Sequence, residues 1–420
     1  MKLKRKCAAF LAVSAVALSS ATPVLAQGKL DIIHWWTSGG ELAGIEVLRE
    51  NIEAQGIEWI DAASAGGAGT NARTLFRTRV QAGDPPAVMQ ALGTEVNEWA
   101  ETGILGDLTA LADEEGWYDL VPEPLHPFMN VDGSTVAVPA VWSQINWVWG
   151  NKAIFEEHGV APPQTWDELV AAAKVFKDAG ITPIAHGGQP WQDTAIFDGI
   201  LVSFDDPEFY KKVAFEQDRE TLEGPMFREA MERLRWYSQQ LDEASPGREW
   251  TQAQAMVLNG EAAMSWMGDW AKGWRVAQGQ KAGEDFICFP TPGSNDMFVW
   301  LADFFFFPRI EGEADNAAQQ AFASAVMEKQ FQHDFSLIKN GLPVRTDVDN
   351  AEWDDCTRDS IARAERANER GGLVASLGFA HSARSDVQGV FRDTLSEFVN
   401  TPDMSVDEGI EILIDGLDSL

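Results

Sequence analysis

Two adjacent tryptophans, Trp35 and Trp36, have the residue type and position expected of ligand-contacting side chains. They follow the apolar segment 30–34, which predicts a short buried β-strand, and a Ser-Gly-Gly break comes directly after them. In an open α/β sheet, ligands bind beyond the carboxyl ends of the strands. An indole offers a broad apolar face and one N–H donor, which suits a flat ligand with a polar rim, such as a pyranose. The alternative is that both tryptophans are core residues.

Other aromatic and amide side chains also fall at the ends of predicted strands. Gln90 ends the strand over 87–91 and is expected on the same sheet edge as Trp35. The remaining side chains of this kind are Trp191 and Gln192, which follow a strand over 181–186, and Trp270, at a strand-to-helix junction. Strands alternate with helical patterns in this part of the chain, which predicts an α/β fold with parallel sheets.

Four ionisable residues are candidates for hydrogen bonding to a ligand. Asp303 interrupts an apolar strand, where it either accepts ligand hydroxyls or is a structural carboxylate bound to backbone donors. Lys339 is expected in a short, turn-rich loop, and His381 in the loop before a helix; each has the alternative of an ordinary solvated or structural residue. Glu41, in the helix after the Ser-Gly-Gly break, is a further candidate.

The Gly-rich segment 64–70 also begins a helix. Such a loop can bind phosphate, but the Lys-Ser/Thr ending of a nucleotide-binding loop is missing. We therefore interpret it as a flexible rim of the ligand cleft.

The charge balance limits the partners of this protein. The chain has 65 Asp and Glu against 32 Lys and Arg, a formal net charge of −33 at pH 7. So acidic a surface repels nucleic acid and anionic lipid, so we expect neither as a partner. We also expect no cofactor and no metal.

The first 26 residues have the features of a cleavable signal peptide, with a basic start, an apolar run and small residues before the cleavage point. No later apolar stretch approaches the roughly 20 residues that span a bilayer. We therefore expect an exported, periplasmic protein. The rest of the chain is longer than one hydrophobic core usually serves, which predicts two domains. Cys288 and Cys356 could form a disulfide in that compartment, or Cys288 could be an inert buried thiol.

Several segments together resemble the extracellular solute-binding protein family 1, the sugar-binding components of bacterial ABC importers, and within it the glucose/mannose-binding type. The segments that carry the resemblance are 35–36, 66–74, 90–91, 187–192, 267–270 and 339–347. It extends over essentially the whole chain after residue 26.

The resemblance implies a two-lobed periplasmic binding protein fold, in which each lobe is a mostly parallel sheet flanked by helices and the ligand cleft lies between the lobes. The implied N-terminal lobe comprises 27–139 plus about 304–350, and the C-terminal lobe 140–303 plus about 351–420. The chain would cross between the lobes near Pro139, Asp303 and Asn350.

The resemblance also implies roles for individual residues. Trp35 and Trp36 would pack around the sugar from one lobe and Trp270 from the other. The side chains that would bind its hydroxyls are Gln90, Asp303, Lys339 and His381, with Glu41, Trp191 and Gln192 as further candidates. Leu92 departs from the pattern, because some relatives place a basic side chain there, and this affects which sugar is favoured.

The predicted function is capture of a monosaccharide, glucose or a related aldohexose, by a monomeric periplasmic protein that delivers it to an ABC-importer permease. Two alternatives remain open. One is a binding protein for an oligosaccharide or a polyol. The other is a secreted glycoside hydrolase, which needs a pair of carboxylates at a defined separation, although no segment marks such a pair.

Overall fold

The computed structural model describes residues 28–349 and 351–420. The predicted signal peptide, 1–26, lies outside the described residues, as does Asn350, near which one lobe crossing is predicted. No helix among the described residues has the length and apolar character needed to cross a membrane.

Within these residues the strands and helices alternate along much of the chain. The strands are β1 (Lys29–His34), β2 (Glu58–Ala63), β3 (Val88–Leu92), β4 (Asn130–Val131), β5 (Ser134–Thr135), β6 (Ala137–Gln144), β7 (Trp147–Asn151), β8 (Thr182–Ile184), β9 (Ala262–Trp266), β10 (Phe286–Pro290), β11 (Phe298–Phe306) and β12 (Leu373–Ala375). The α-helices are α1 (Gly39–Ala54), α2 (Thr70–Gln81), α3 (Glu95–Glu101), α4 (Thr109–Glu115), α5 (Trp117–Leu120), α6 (His126–Met129), α7 (Lys152–Glu157), α8 (Trp166–Asp178), α9 (Pro190–Val202), α10 (Pro207–Ala214), α11 (Arg219–Leu222), α12 (Pro225–Ser238), α13 (Trp250–Leu258), α14 (Trp270–Ala277), α15 (Glu313–Met327), α16 (Lys329–Lys339), α17 (Asp355–Glu369), α18 (Ser385–Asn400) and α19 (Val406–Asp418). Short 3₁₀ turns occur at Gly67–Gly69 and Glu123–Leu125.

The first large sheet contains the strand that ends at Trp35. Its order is β12-β11-β3-β1-β2, with β6 on the other side of β11. The pairs β1–β2, β1–β3 and β11–β12 are parallel, whereas β11 runs antiparallel to β3 and β6. Helix α15 packs against β1 and β6. Strand β11 is buried along its whole length and has neighbours on both edges.

The second large sheet has the order β10-β7-β9-β8. Only β8–β9 is a parallel pair among the described strands of this sheet, since β7 is antiparallel to both β9 and β10. The α/β fold class is therefore confirmed; three of the five described pairs in the first sheet are parallel, but the second sheet is mostly antiparallel. The physical reason is that β7 lies between β9 and β10 and runs opposite to both, so this one strand makes two of the three pairs in the sheet antiparallel.

Two long strands contain the positions at which the chain is predicted to pass between the lobes. Strand β6 includes Pro139 and β11 includes Asp303. They pair along most of their lengths, and the register shifts between Asp303 and Phe304. Such a bulge changes the direction of a side chain at the point where it interrupts the ladder. The lobe boundaries themselves stay a prediction.

Cys288 and Cys356 form a disulfide, so the question left open by the sequence is resolved in favour of the bridge. Their Cα atoms are 6.1 Å apart, within the range that a disulfide spans. The bond joins β10 of the second sheet to α17.

Candidate ligand-binding site

An inner cavity of about 310 Å³ lies between elements attached to the first sheet and helices around the second. The first group contributes Trp35, Glu41 and Asp303, and the second contributes Trp191, Trp250 and Trp270 at the starts of α9, α13 and α14. The other residues that line it are Thr37, Ser38, Ala65, Gly66, Gly67, Ala68, Asn71, Leu92, Glu249, Thr251, Leu301, Lys339 and Phe379.

Trp35 borders the cavity at the end of β1, as the sequence predicted, and backbone contacts fix its position. Its backbone N–H donates to the side-chain oxygen of Gln90 at 3.0 Å. Gly69, at a positive φ of 79°, lies so close that a Cβ there would be 2.6 Å from the indole. The glycine-rich segment therefore packs directly against Trp35, and Gly66, Gly67 and Ala68 form part of the cavity wall.

Asp303 and Lys339 form a buried ion pair at the cavity. The Lys339 ammonium is 3.6 Å from one carboxylate oxygen of Asp303, and the Gln90 amide donates to the other at 2.8 Å. Burial raises the pKa of Asp303, and the nearby Lys339 charge opposes that rise. Gln90 thus links Trp35 to Asp303 without lining the cavity itself.

Glu41 is a second carboxylate in the same cavity. Burial raises its pKa to about 7, while Lys339 lowers it and the like charge of Asp303 raises it further. Glu41 lines the cavity, so its carboxylate could accept a hydrogen bond from a ligand hydroxyl.

Lys339 is the last residue of α16, not a loop residue as the sequence analysis predicted. The helix continues through 336–338 and ends because Asn340 adopts a left-handed conformation, with φ of 67°. The Lys339 ammonium lies 5.5 Å from the centre of the Trp36 ring and 5.9 Å from that of Trp270. Asp269 is also close enough for the Lys339 charge to oppose the burial that raises its pKa to about 7.

Trp36 lies beneath this cluster and does not line the cavity. It is 1% exposed and packs against Phe305 and Phe335, with ring centres 5.6 and 5.1 Å away. Trp36 therefore contacts Lys339 from the side away from the cavity, whereas Trp35 lines the cavity.

His381 does not line the cavity either. Its Nδ1 is 2.8 Å from the Phe379 carbonyl and its Nε2 accepts the Ala302 backbone N–H at 3.1 Å. Burial lowers its pKa to about 4, so the ring is neutral at pH 7. His381 therefore fixes the backbone at Ala302, next to Asp303, and at Phe379, and both Asp303 and Phe379 line the cavity.

Trp191, Trp270 and Phe379 form one aromatic wall. The Phe379 ring centre lies 5.9 Å from that of Trp191 and 5.8 Å from that of Trp270. Gln192 is buried behind this wall, where its amide donates to the Gln189 side chain. Of the two further candidates in this segment, the structure thus brings Trp191 to the cavity and leaves Gln192 outside it.

The sequence of this chain matches a known protein family and several of its members. Residues 48–303 match the family of bacterial extracellular solute-binding proteins. A probable sugar-binding periplasmic protein of Brucella melitensis is 39% identical over 412 residues, which is 97% of each chain. The chain belongs to this family. The resemblance noted in the sequence is confirmed, and so is the expectation that the protein is not an enzyme, because this is a family of binding proteins.

Solved structures share the two-lobed fold of this solute-binding protein. A chitin oligosaccharide binding protein aligns with a TM-score of 0.78 at 20% identity, covering 93% of this chain and 98% of its own. A bacterial solute receptor with an exclusive preference for β-D-galactopyranose aligns with a TM-score of 0.76 at 16% identity, covering 94% and 98%. At such low identity these similarities establish the fold alone.

Several residues of the site in this solute-binding protein were missed from the sequence. Glu249, Trp250, Thr251 and Phe379 line the cavity. Glu249 and Trp250 could have been recognised as a helix start, because Glu249 caps α13 reciprocally with Gln252. In the described part of the chain, His, Cys, Asp and Glu side chains form no group of three able to hold a metal ion.

Asp198 was also missed from the sequence, because it does not line the cavity and instead binds a segment that does. Its carboxylate accepts hydrogen bonds from Ser376 at 2.5 Å, Gly378 at 3.0 Å and Leu377 at 3.2 Å, and from the Tyr210 hydroxyl at 2.7 Å. These bonds hold the segment that presents Phe379 to the cavity. Its sequence context, a helical Asp among apolar residues, gives no sign of this.

The elevated pKa of Glu41 makes a testable prediction about stability. Because its pKa in the folded protein, about 7, exceeds the ordinary value of 4.5, the folded state retains a proton that the unfolded chain releases between these pH values. Stability therefore falls as pH rises through this window. Glu41→Gln removes the charge, so we expect the ligand-free variant to melt at a higher temperature than the unaltered protein at pH 8.

Thermal melts at pH 5 and pH 8 measure this effect. Glu50→Gln, on the exposed side of the same helix, is the matched control and should leave the pH dependence unchanged. An identical loss of Tm between pH 5 and pH 8 in the Glu41→Gln variant and the unaltered protein would contradict the assignment.

Proposed function

We propose that this protein captures a monosaccharide, glucose or a related aldohexose, in the inner cavity and delivers it to the membrane permease of an ABC importer. It would do so as a monomer in the periplasm, after export and removal of residues 1–26. The observation that carries the proposal is the pairing of aromatic walls with the cluster of Glu41, Asp303 and Lys339. Apolar faces suit the C–H face of a sugar, and charged acceptors and a donor suit its hydroxyls.

The size of the inner cavity supports a small ligand. Its volume of about 310 Å³ is at the lower end of the roughly 300–1,000 Å³ found for ligand pockets. The Brucella relative is named a probable sugar-binding protein and one solved neighbour prefers galactopyranose, which supports a sugar as the ligand. The Gly-rich segment of the cavity wall lacks the lysine of a nucleotide-binding loop, which argues against a nucleotide as the ligand.

The proposed mechanism is hinge closure without chemistry. Lobes formed by 27–139 with about 304–350, and by 140–303 with about 351–420, would close about β6 and β11 so that residues from both contact the sugar. Closure is favoured only by the higher affinity of the sugar for the closed state. A micromolar site requires about −8 kcal/mol, and a few charge-assisted hydrogen bonds of roughly 1.5–3 kcal/mol each, with stacking, can supply it.

A second candidate, oligosaccharide binding, is favoured by one specific observation. A larger outer cavity of about 780 Å³ shares Gly66, Leu92, Trp191 and Phe379 with the inner one. A ligand held in the inner cavity could therefore extend into it. One solved neighbour is a chitin oligosaccharide binding protein, which is consistent with this candidate.

Titration calorimetry with glucose, galactose, mannose, maltose and sorbitol tests the proposal. We expect a hexose to bind with a 1:1 stoichiometry, and Trp270→Ala to weaken it by about 10- to 100-fold through lost stacking and apolar burial. Trp236→Ala is the control, because Trp236 is half-buried against Trp166 and does not line the cavity. Absence of binding by every hexose, or equal affinities for the Trp270→Ala and unaltered proteins, would refute it.

A further inference from the structure

Residues 66–69, which we call the glycine loop, pass between two of the indoles that line the inner cavity. On one side Gly69 lies against Trp35, and on the other Gly67 lies against Trp191. The loop and Trp35 belong to the predicted N-terminal lobe, whereas Trp191 belongs to the predicted C-terminal lobe. The contact at Gly67 is therefore a contact between the two predicted lobes, made at the wall of the cavity.

This contact leaves no room for a side chain at position 67. A Cβ there would overlap the indole nitrogen of Trp191, and it would lie 2.8 Å from Cε2 of the same ring and 2.7 Å from the Gln189 side-chain oxygen. Non-bonded carbon atoms reach their best separation at about 3.5–4.0 Å. The φ of Gly67 is not positive, so an alanine could adopt this backbone conformation. It is thus the close approach, and not the backbone, that requires glycine here.

The side chains that face Gly67 are held in place by neighbours of their own. The Gln189 side-chain oxygen accepts hydrogen bonds from the Trp191 indole at 2.9 Å and from the Gln192 amide at 3.1 Å. The Gln189 amide donates to Glu249 at 2.8 Å. The Trp191 ring also packs against Phe379. Neither side chain can therefore move aside without the loss of a hydrogen bond or of an aromatic contact.

The glycine loop is held in its own lobe by two side chains of α2. The Asn71 amide donates to the Ala65 carbonyl at 2.6 Å, and the Arg73 guanidinium donates to the Ala68 carbonyl. These bonds define the shape of the loop. Added volume at position 67 is therefore not absorbed within the loop and acts across the contact between the predicted lobes.

We propose that Gly67 is a positioning residue for sugar capture. Because it has no side chain, the glycine loop can meet Trp191 and Gln189, and this contact completes the wall of the inner cavity when the lobes close on a sugar. A larger residue at position 67 holds the lobes apart, lowers the population of the closed complex and lets the sugar dissociate sooner. This inference rests on the proposed function, since it assigns a role within hinge closure.

Calorimetry and stopped-flow tryptophan fluorescence on the mature protein, with glucose, galactose and mannose, test this inference. We expect Gly67→Ala to weaken the affinity for the tightest-binding hexose by about 5- to 100-fold, because a methyl group is forced into a close contact. The loss should come mainly from faster dissociation. Without ligand, the Tm should not fall, because alanine fits the backbone conformation. Gly389→Ala is the matched control, since a Cβ there would have no neighbour closer than 3.9 Å.

A double-variant experiment tests whether the contact with Trp191 is the cause. Trp191→Leu removes the indole atoms that a Cβ at position 67 would meet, and it frees Gln189 from one hydrogen bond. Trp191→Leu weakens binding by itself, but adding Gly67→Ala in that background should cost far less than it does in the unaltered protein. A purely local effect of Gly67→Ala would cost the same in both backgrounds, and that result would overturn the inference.

The outcomes separate this inference from the proposed function. If a hexose binds the unaltered protein and Gly67→Ala binds it with the same affinity and dissociation rate, the inference is wrong and the proposed function stands. If the affinity falls through slower association alone, the closed complex is not the state affected and the inference is again wrong. If no hexose binds the unaltered protein, the proposed function fails and the inference fails with it.

Discussion

Replacing Asp303 by asparagine is expected to weaken monosaccharide binding by roughly 10- to 150-fold while the protein remains folded. The variant loses a charged acceptor that Lys339 and Gln90 hold at the cavity, and a hydrogen bond to a charged group contributes about 1.5–3 kcal/mol. The asparagine oxygen can still accept the Gln90 amide. The buried Lys339 ammonium loses its ion-pair partner, but the Glu41 and Asp269 carboxylates remain close enough to interact with its charge. We therefore expect a large loss in affinity with only a small fall in Tm.

Calorimetry and a thermal melt of the same sample measure the two quantities. Asp178→Asn is the matched control, because Asp178 also pairs with a lysine, Lys174, but on an exposed helix surface. Unchanged affinity in Asp303→Asn would make this carboxylate structural, which is the alternative that the sequence left open. A large fall in Tm with no ligand would point to the same conclusion.

Removal of the disulfide is expected to lower the free energy of unfolding by about 4 kcal/mol. The bond joins residues separated by 68 positions, and the chain-entropy estimate for a loop of that length is of this size. Because Cys288 lies on β10 and Cys356 on α17, the loss should affect the part of the fold around the second sheet. Sugar affinity should be little changed, since neither cysteine lines the inner cavity.

Urea unfolding of Cys288→Ala/Cys356→Ala, with and without dithiothreitol, measures this effect. The reductant should destabilise the unaltered protein to about the level of the double variant and leave the variant itself unaffected. If the unaltered protein is equally stable with and without the reductant, the bridge does not contribute as expected.

The parts of the site that local sequence could predict are those set by local structure. Trp35 at the end of β1 and the Gly-rich segment in the cavity wall could both be predicted. A strand-to-loop transition and a positive φ each require particular residue types at neighbouring positions.

What local sequence could not predict depends on distant contacts. Trp36 and His381 have the residue types of ligand-contacting groups, but packing by Phe335 and hydrogen bonds with Ala302 and Phe379 place them behind the wall. Asp198 acts through a segment almost 180 positions away. The resemblance to a family supplied the two-lobed fold and the grouping of Asp303 with Lys339, which spacing alone does not imply.

The bulge between Asp303 and Phe304 has a mechanical consequence. The partner of β11 passes there from Val141 to Pro139, so Ala140 of β6 is left unpaired, and such a bulge bends its strand and increases the local twist. In the proposed mechanism, torsion of the β6–β11 ribbon would therefore concentrate at Asp303. The Asp303 carboxylate would then both bind the sugar and lie at the point where the lobes rotate. Sugar binding would therefore be coupled directly to closure, with no intermediate residues.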